Sequence, residues 1–190
     1  TSLGSGTTAA PYSRSLSGLS PGTTYYYCAL ASNSGGAGFG TVQTFTTLAA
    51  PEVTTTAATA LTANAATLNG SANPKLATAT GWFRYSTTNP GTCNDTFGTR
   101  APSSGGTDLG AGSSDVAYSR ALTGLVAGTT YYYCALASNS VGTSVGTVMS
   151  FTTLAAPVVT TVAASSVTAT AATLNGTGTP RGAATTGWFR

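Results

Sequence analysis

The sequence contains no histidine, and charged residues make up only 6% of it. Without imidazole it lacks the commonest metal ligand and the commonest general base. Its 7 lysines and arginines are scattered singly and leave a net charge of +3. No basic patch is therefore available to neutralise a phosphate backbone, which excludes nucleic acid as a partner. Only 4 residues are acidic, Glu52, Asp95, Asp108 and Asp115. They sit in turn-like or strand-start settings without a nucleophilic or basic neighbour, and their spacing satisfies no calcium loop. No apolar run reaches membrane-spanning length. No catalytic residue, cofactor or metal ligand is assigned, and the chain is expected not to be an enzyme.

What remains is rich in Thr, Ser, Ala and Gly, a composition shared with disordered chains. Disorder is excluded because the aromatics recur at fixed places inside β-branched runs. GLSPGTTYYYCALASNS, from Gly18 to Ser34, returns as GLVAGTTYYYCALASNS from Gly124 to Ser140. Tyr25 matches Tyr131, Cys28 matches Cys134, Pro51 matches Pro157 and Trp82 matches Trp188, always 106 residues apart. A period of that length suits an independent domain rather than a solenoid unit. The expected organisation is the C-terminal half of a repeat over 1–48, a complete repeat over 49–154, and the N-terminal half of the next over 155–190. The chain does not open with Met and cuts its repeats out of phase, so it is expected to be a portion of a longer polypeptide.

The complete repeat reads as about seven short strands separated by Gly, Pro, Asn and Ser, without helical periodicity, which predicts a β-sandwich. PEVTTTAATALT, AATLNGSANP and ATGWFRYSTT supply three strands. A long polar stretch with one edge strand follows, and then DVAYSRALTGL, GTTYYYCALASNS and GTVMSFTT. The period of two puts Trp82 and Arg84 on one face of the third strand and Phe83 and Tyr85 on the other. In the YYYC strand, Tyr131, Tyr133, Ala135 and Ala137 share a face that suits a tapering core. Tyr131 is expected to be a core tyrosine whose hydroxyl bonds nearby backbone. Tyr132, on the opposite face, is the candidate for an outward stacking platform, with Phe97 close by.

The pattern GL-x-x-GTTYYYCALASNS-x-G, with a Trp on an earlier strand, resembles bacterial extracellular fibronectin type III domains. The resemblance covers all 190 residues, as one complete copy and two partial ones. It implies tandem immunoglobulin-like sandwiches, with Tyr25 and Tyr131 as tyrosine corners and Trp82 and Trp188 packed in the cores. Two departures are Cys134, where such domains usually have another residue, and the long loop from Asn89 to Ser114. The fold serves adhesion, spacing and fibre building alike, so function is carried only weakly.

Cys93 in that loop and Cys134 in the YYYC strand are expected to form a disulfide that staples the loop to the sheet. A 41-residue separation corresponds to about 4 kcal/mol in the chain-entropy estimate. Cys28 copies Cys134, and its partner would be an equivalent of Cys93 outside the chain. The competing readings, a metal site or a cysteine nucleophile, lack histidine and a base respectively. A disulfide implies an oxidising compartment, hence an extracellular or cell-surface location.

Asn69, Asn94 and Asn175 fit the N-glycosylation spacing, and glycans are candidate partners. LAAP joins successive repeats with a proline that limits their relative freedom. The sparse charge lets copies pack at little electrostatic cost. The chain is also 22 residues short of two periods, with the missing positions corresponding to Tyr85 through Gly106. Half-repeats of neighbouring copies could then complete one another head-to-tail, or one continuous polypeptide could carry many repeats. The leading expectation is a structural subunit of an extracellular filament or sheath. The alternatives are the stalk of a cell-surface adhesin, or a spacer module of a secreted polysaccharide-degrading enzyme.

Overall fold

The computed structural model describes residues 1–190 and contains β-structure without any α-helix. The chain divides into two compact units, Thr1–Ala49 and Ala50–Arg190.

The first unit holds two two-stranded sheets. Strand β1 (Thr24–Tyr27) pairs antiparallel with β4 (Gln43–Thr46), and β2 (Leu30–Asn33) pairs with β3 (Gly36–Phe39). The β1–β4 register sets Tyr25 opposite Phe45, and their rings stack at 5.6 Å.

The second unit begins with a complete sandwich. Its strands are β5 (Glu52–Thr59), β6 (Ala65–Asn73), β7 (Ala79–Ser86), β8 (Thr99–Ala101), β9 (Thr107–Gly110), β10 (Val116–Thr123), β11 (Thr130–Ser138), β12 (Thr143–Val145) and β13 (Met149–Thr152). One sheet has the order β10-β6-β5. The other runs β12-β11-β7-β8, with β13 also pairing β11 and β9 also pairing β7. This is a fibronectin type III-like arrangement of three strands against four strand positions. The expected seven strands become nine because two positions are each served by two short pieces. The polar stretch after β7 provides β8 and β9, and the expected last strand, GTVMSFTT, holds β13 while β12 is added just before it.

Local sequence explains the layers. β6 alternates strictly between half-buried and buried, with Ala66, Leu68, Gly70 and Ala72 facing inward. These small residues let the opposite sheet come close. A Cβ placed on Gly70 would lie 2.6 Å from that of Ala135, so only glycine fits there. Where β11 carries tyrosines the layers are held apart, and where it carries Ala135 and Ala137 they converge. Phe83 of β7, which pairs with Ala135, packs against Tyr118 of β10 at 5.1 Å between ring centroids, filling the space that the small residues leave. Burying a side chain such as Leu68 or Phe83 contributes about 1.5–3 kcal/mol.

Three hydrogen bonds tie the sheets together at depth, one of them from the Tyr118 hydroxyl to Leu136 O at 2.8 Å. The Ala135 amide donates to Thr55 Oγ1 at 3.1 Å, and the Tyr133 hydroxyl donates to Thr56 O at 2.6 Å. The remaining strands, β14 (Val158–Ser165) and β15 (Thr173–Thr179), form a hairpin that repeats β5 and β6.

Candidate functional site

Strand β11 is buried on both faces from Tyr133 to Ala137, although only its inner face looks toward the other sheet. The cause is the long loop after β7, which folds back over the outer face. Cys93 in that loop is bonded to Cys134, with 6.3 Å between their Cα atoms. Beneath the loop, Trp82, Cys134 and Leu136 form a second apolar cluster, closed by half-buried Phe97. The indole Nε1 of Trp82 donates to Asp95 Oδ1 at 2.9 Å, and Arg84 Nε donates to the same oxygen at 2.9 Å. The Arg100 guanidinium lies over the indole, 4.7 Å from its centroid.

Trp82 is a core residue, as the resemblance implied, but in this second cluster and not between the sheets. The inter-sheet core is filled from β7 by Phe83 and flanked by Tyr85, so strand alternation sends Trp82 and Arg84 outward. Trp82 is nevertheless buried, because the disulfide-held loop covers it. An outward platform of Tyr132 and Phe97 is corrected. Tyr132 is half-buried, and Phe97 packs into the loop cluster instead of facing solvent.

The tyrosines after the Gly-Thr turns have matching environments in both repeats. The Val126 amide donates to the Tyr131 hydroxyl at 3.0 Å, and the Ser20 amide donates to that of Tyr25 at 2.9 Å. Tyr131 is buried and Tyr25 half-buried. Trp188 is largely exposed, at odds with a core position. In the central repeat the same indole is covered by Leu136 and the loop, and the C-terminal hairpin supplies neither. Cys28 is half-buried and is not bonded to another cysteine of residues 1–190.

The acids are engaged individually. Glu52 pairs with Lys75 at 2.7 Å, and this ammonium lowers the exposed carboxyl's pKa through its hydrogen bond and its charge. Asp108 accepts from the Gly110 amide, and Asp95 serves Trp82 and Arg84. No three residues among His, Cys, Asp and Glu are grouped to hold a metal ion.

The three asparagines of the glycosylation spacing differ sharply. The Asn69 side-chain amide donates to Ala57 O at 2.8 Å and Thr59 Oγ1 at 3.1 Å, bridging the bulge between Thr56 and Thr59. Asn175 repeats this with Ala163 O and Ser165 Oγ, both at 2.9 Å. Asn94 is exposed, and its oxygen caps the turn by accepting from the Thr96 and Phe97 amides.

Buried hydroxyls complete the electrostatic picture. The Tyr118 hydroxyl donates to Leu136 O at 2.8 Å, and burial pushes its pKa far above the ordinary tyrosine range. Burial raises that of Tyr133 too.

No protein-family profile and no curated protein matches the sequence. Among solved structures, the chain is similar to the sensor domain of the anti-sigma factor RsgI4 of Pseudobacteroides cellulosolvens. Identity there is 20% over 55% of this chain and 75% of that one, with a TM-score of 0.38. It is also similar to the FN1–FN3 domains of chicken CNTN1, at 19% identity over 71% of this chain and 44% of that one, with a TM-score of 0.36. Identity and superposition are both low, and the sandwich is established by the strand pairing itself. No helix is long and apolar enough to cross a membrane.

Proposed function

We propose that this chain is an extracellular, non-catalytic structural module of the fibronectin type III kind, built into a filament from head-to-tail β-sandwich repeats. The observation that carries the proposal is the recurrence of the same interactions at the same offset. Tyr118 donates to Leu136 O at 2.8 Å, and Tyr12 donates to Leu30 O at 3.0 Å. Tyr131 stacks on Phe151 at 5.5 Å, as Tyr25 does on Phe45 at 5.6 Å. The repeats thus preserve a scaffold, which is the property a polymer needs and a single binding site does not.

The linker after the central repeat is held in place at its start. Gly182 lies against Leu154, so that a Cβ at Gly182 would sit 3.6 Å from Leu154 Cδ2, an ordinary packing distance. Leu154 in turn donates its amide to Thr62 O and accepts from Gly128, anchoring the linker in the sandwich it leaves. The disulfide fits an oxidising exterior, and self-association is favoured by sparse charge.

Electron microscopy of native cell-surface material, with antibody labelling against this chain, tests the proposal. Labelled filaments with a regular axial repeat are expected. Labelled, monodisperse short rods that do not associate would overturn it and point to an adhesin stalk.

A further inference from the structure

The basic residues of the central repeat are Lys75, Arg84, Arg100 and Arg120. Lys75 pairs with Glu52, Arg84 pairs with Asp95, and Arg100 lies over the Trp82 ring. The Arg120 side chain alone has no such partner, and it stands in the middle of β10. Strand alternation puts it on the inward side with Tyr118 and Leu122, which are 5% and 6% exposed. The register sets it opposite Leu68, which is fully buried, yet Arg120 is itself exposed. A charge is thus placed on the core side of the sheet, and its guanidinium leaves past the open edge into water, as long basic side chains do. The first repeat has Arg14 at the same place, after Tyr12 and Ser13, and it is exposed too.

A strand with an unpaired side presents a row of free N–H and C=O groups, to which a strand of another molecule can add. The other edges of the sandwich are closed by other means. β5 carries a bulge between Thr56 and Thr59 and is covered by the opposite sheet, where a Cβ on Gly146 would lie 2.7 Å from the Thr55 amide nitrogen. β8, β9, β12 and β13 are only three or four residues long. β10 is eight residues long, pairs with β6 without a register shift, and has no strand on its other side. Its sequence, VAYSRALT, contains no proline and no charge except Arg120.

We propose that Arg120 guards the β10 edge, its charge preventing a strand of a second copy from adding there. An added strand would extend the sheet across the gap through which the guanidinium reaches water, and would take an unpaired charge out of solvent. The ladder bonds gained would only replace bonds to water and return little against that cost. Arg120 thereby determines the specificity of self-association: copies remain free to meet through other surfaces, and the sheet edge is closed to them. The inference does not depend on the filament reading, since a free edge has to be protected in a filament, a stalk or a spacer alike.

The test compares the 190-residue chain with its Arg120→Gln, Arg120→Thr and Arg120→Lys variants. In sedimentation velocity, the two uncharged variants should associate at concentrations at least about tenfold below any at which the wild type does, while the lysine variant behaves as the wild type. Hydrogen–deuterium exchange read by mass spectrometry should show the β10 peptide newly protected in the uncharged variants as they associate. Urea unfolding followed by tryptophan emission checks that each variant is folded, and glutamine, which keeps most of the side-chain stem, carries the test should threonine disturb the strand. A folded glutamine variant that sediments like the wild type would overturn the proposal. So would association without new protection of β10, which would place the contact elsewhere, and a lysine variant that associates like the glutamine one. A glutamine variant that fails to fold would also overturn it, by making Arg120 a structural residue and not a guard.

Discussion

Trp82 and Asp95, 13 residues apart, are joined by a 2.9 Å hydrogen bond from the indole nitrogen to a carboxylate oxygen. That bond fixes the loop over the outer face of the sheet. It satisfies the polar edge of a residue whose apolar body is buried against Cys134 and Leu136. It also gives the Arg84 guanidinium a partner on the same oxygen. Removing the acceptor therefore strands two donors at once.

Asp95→Ala is expected to destabilise the central repeat by about 1–3 kcal/mol, the cost of leaving a desolvated donor without a partner. Asp95→Asn keeps a carbonyl oxygen for Trp82 and should cost distinctly less. Urea unfolding followed by tryptophan emission measures both. Equal losses for the two variants would show that the indole hydrogen bond is not what matters.

Replacing Cys93 and Cys134 together by serine should lower stability by about 4 kcal/mol, because the unfolded chain regains the freedom of the closed loop. The loop should also lift, shifting Trp82 emission to the red in the folded state. Reduction of the unmodified chain should reproduce both effects. A double variant that melts at the wild-type temperature would contradict this.

Tyr118 and Tyr133 have raised pKa values because burial disfavours the phenolate. The sign of the pH effect follows from the unfolded chain, where tyrosine ionises near pH 10. Below that pH both states are neutral and the stabilisation is fully present. Above it the unfolded state releases protons first, so stability falls progressively. Absorbance titration at alkaline pH should show the ionisation of Tyr118 and Tyr133 appearing only together with unfolding. All nine tyrosines ionising together near pH 10 with the fold retained would refute it.

Of the three asparagines with glycosylation spacing, Asn94 is the one whose modification leaves the sheet intact. Attachment at Asn69 or Asn175 would consume the amide that bridges a β-bulge. Peptide mass spectrometry of native protein is expected to place any N-linked glycan on Asn94. Occupancy at Asn69 with an unchanged melting temperature would count against this account.

Several of these features were legible in the residues before any coordinates. The alternation in AATLNGSAN and the order of large and small side chains in YYYCALA set which face of each strand is inward, since successive side chains of a regular strand point to opposite faces. The spacing of Cys93 and Cys134 within one repeat marked a bridge across the loop. The destination of Trp82 was not legible. Alternation separates it from Phe83 but does not say which of the two meets the other sheet, and the resemblance placed Trp82 in a core without saying which core. Likewise, the polar composition of NPGTCNDTFGT indicates a loop without indicating that Phe97 would turn inward with it.

The sequence by itself determined the repeat length, the β-class and the alternating faces, because these depend on local periodicity and on identity between distant segments. Only the tertiary structure decided that the outer face of the central sheet is a second core. It also decided that Trp82 and Arg84 share Asp95, and that the same side chains are buried in the middle of the chain and exposed at its ends. Burial is a property of what lies opposite a residue, and identical words 106 residues apart acquire different surroundings when their opposing strands differ.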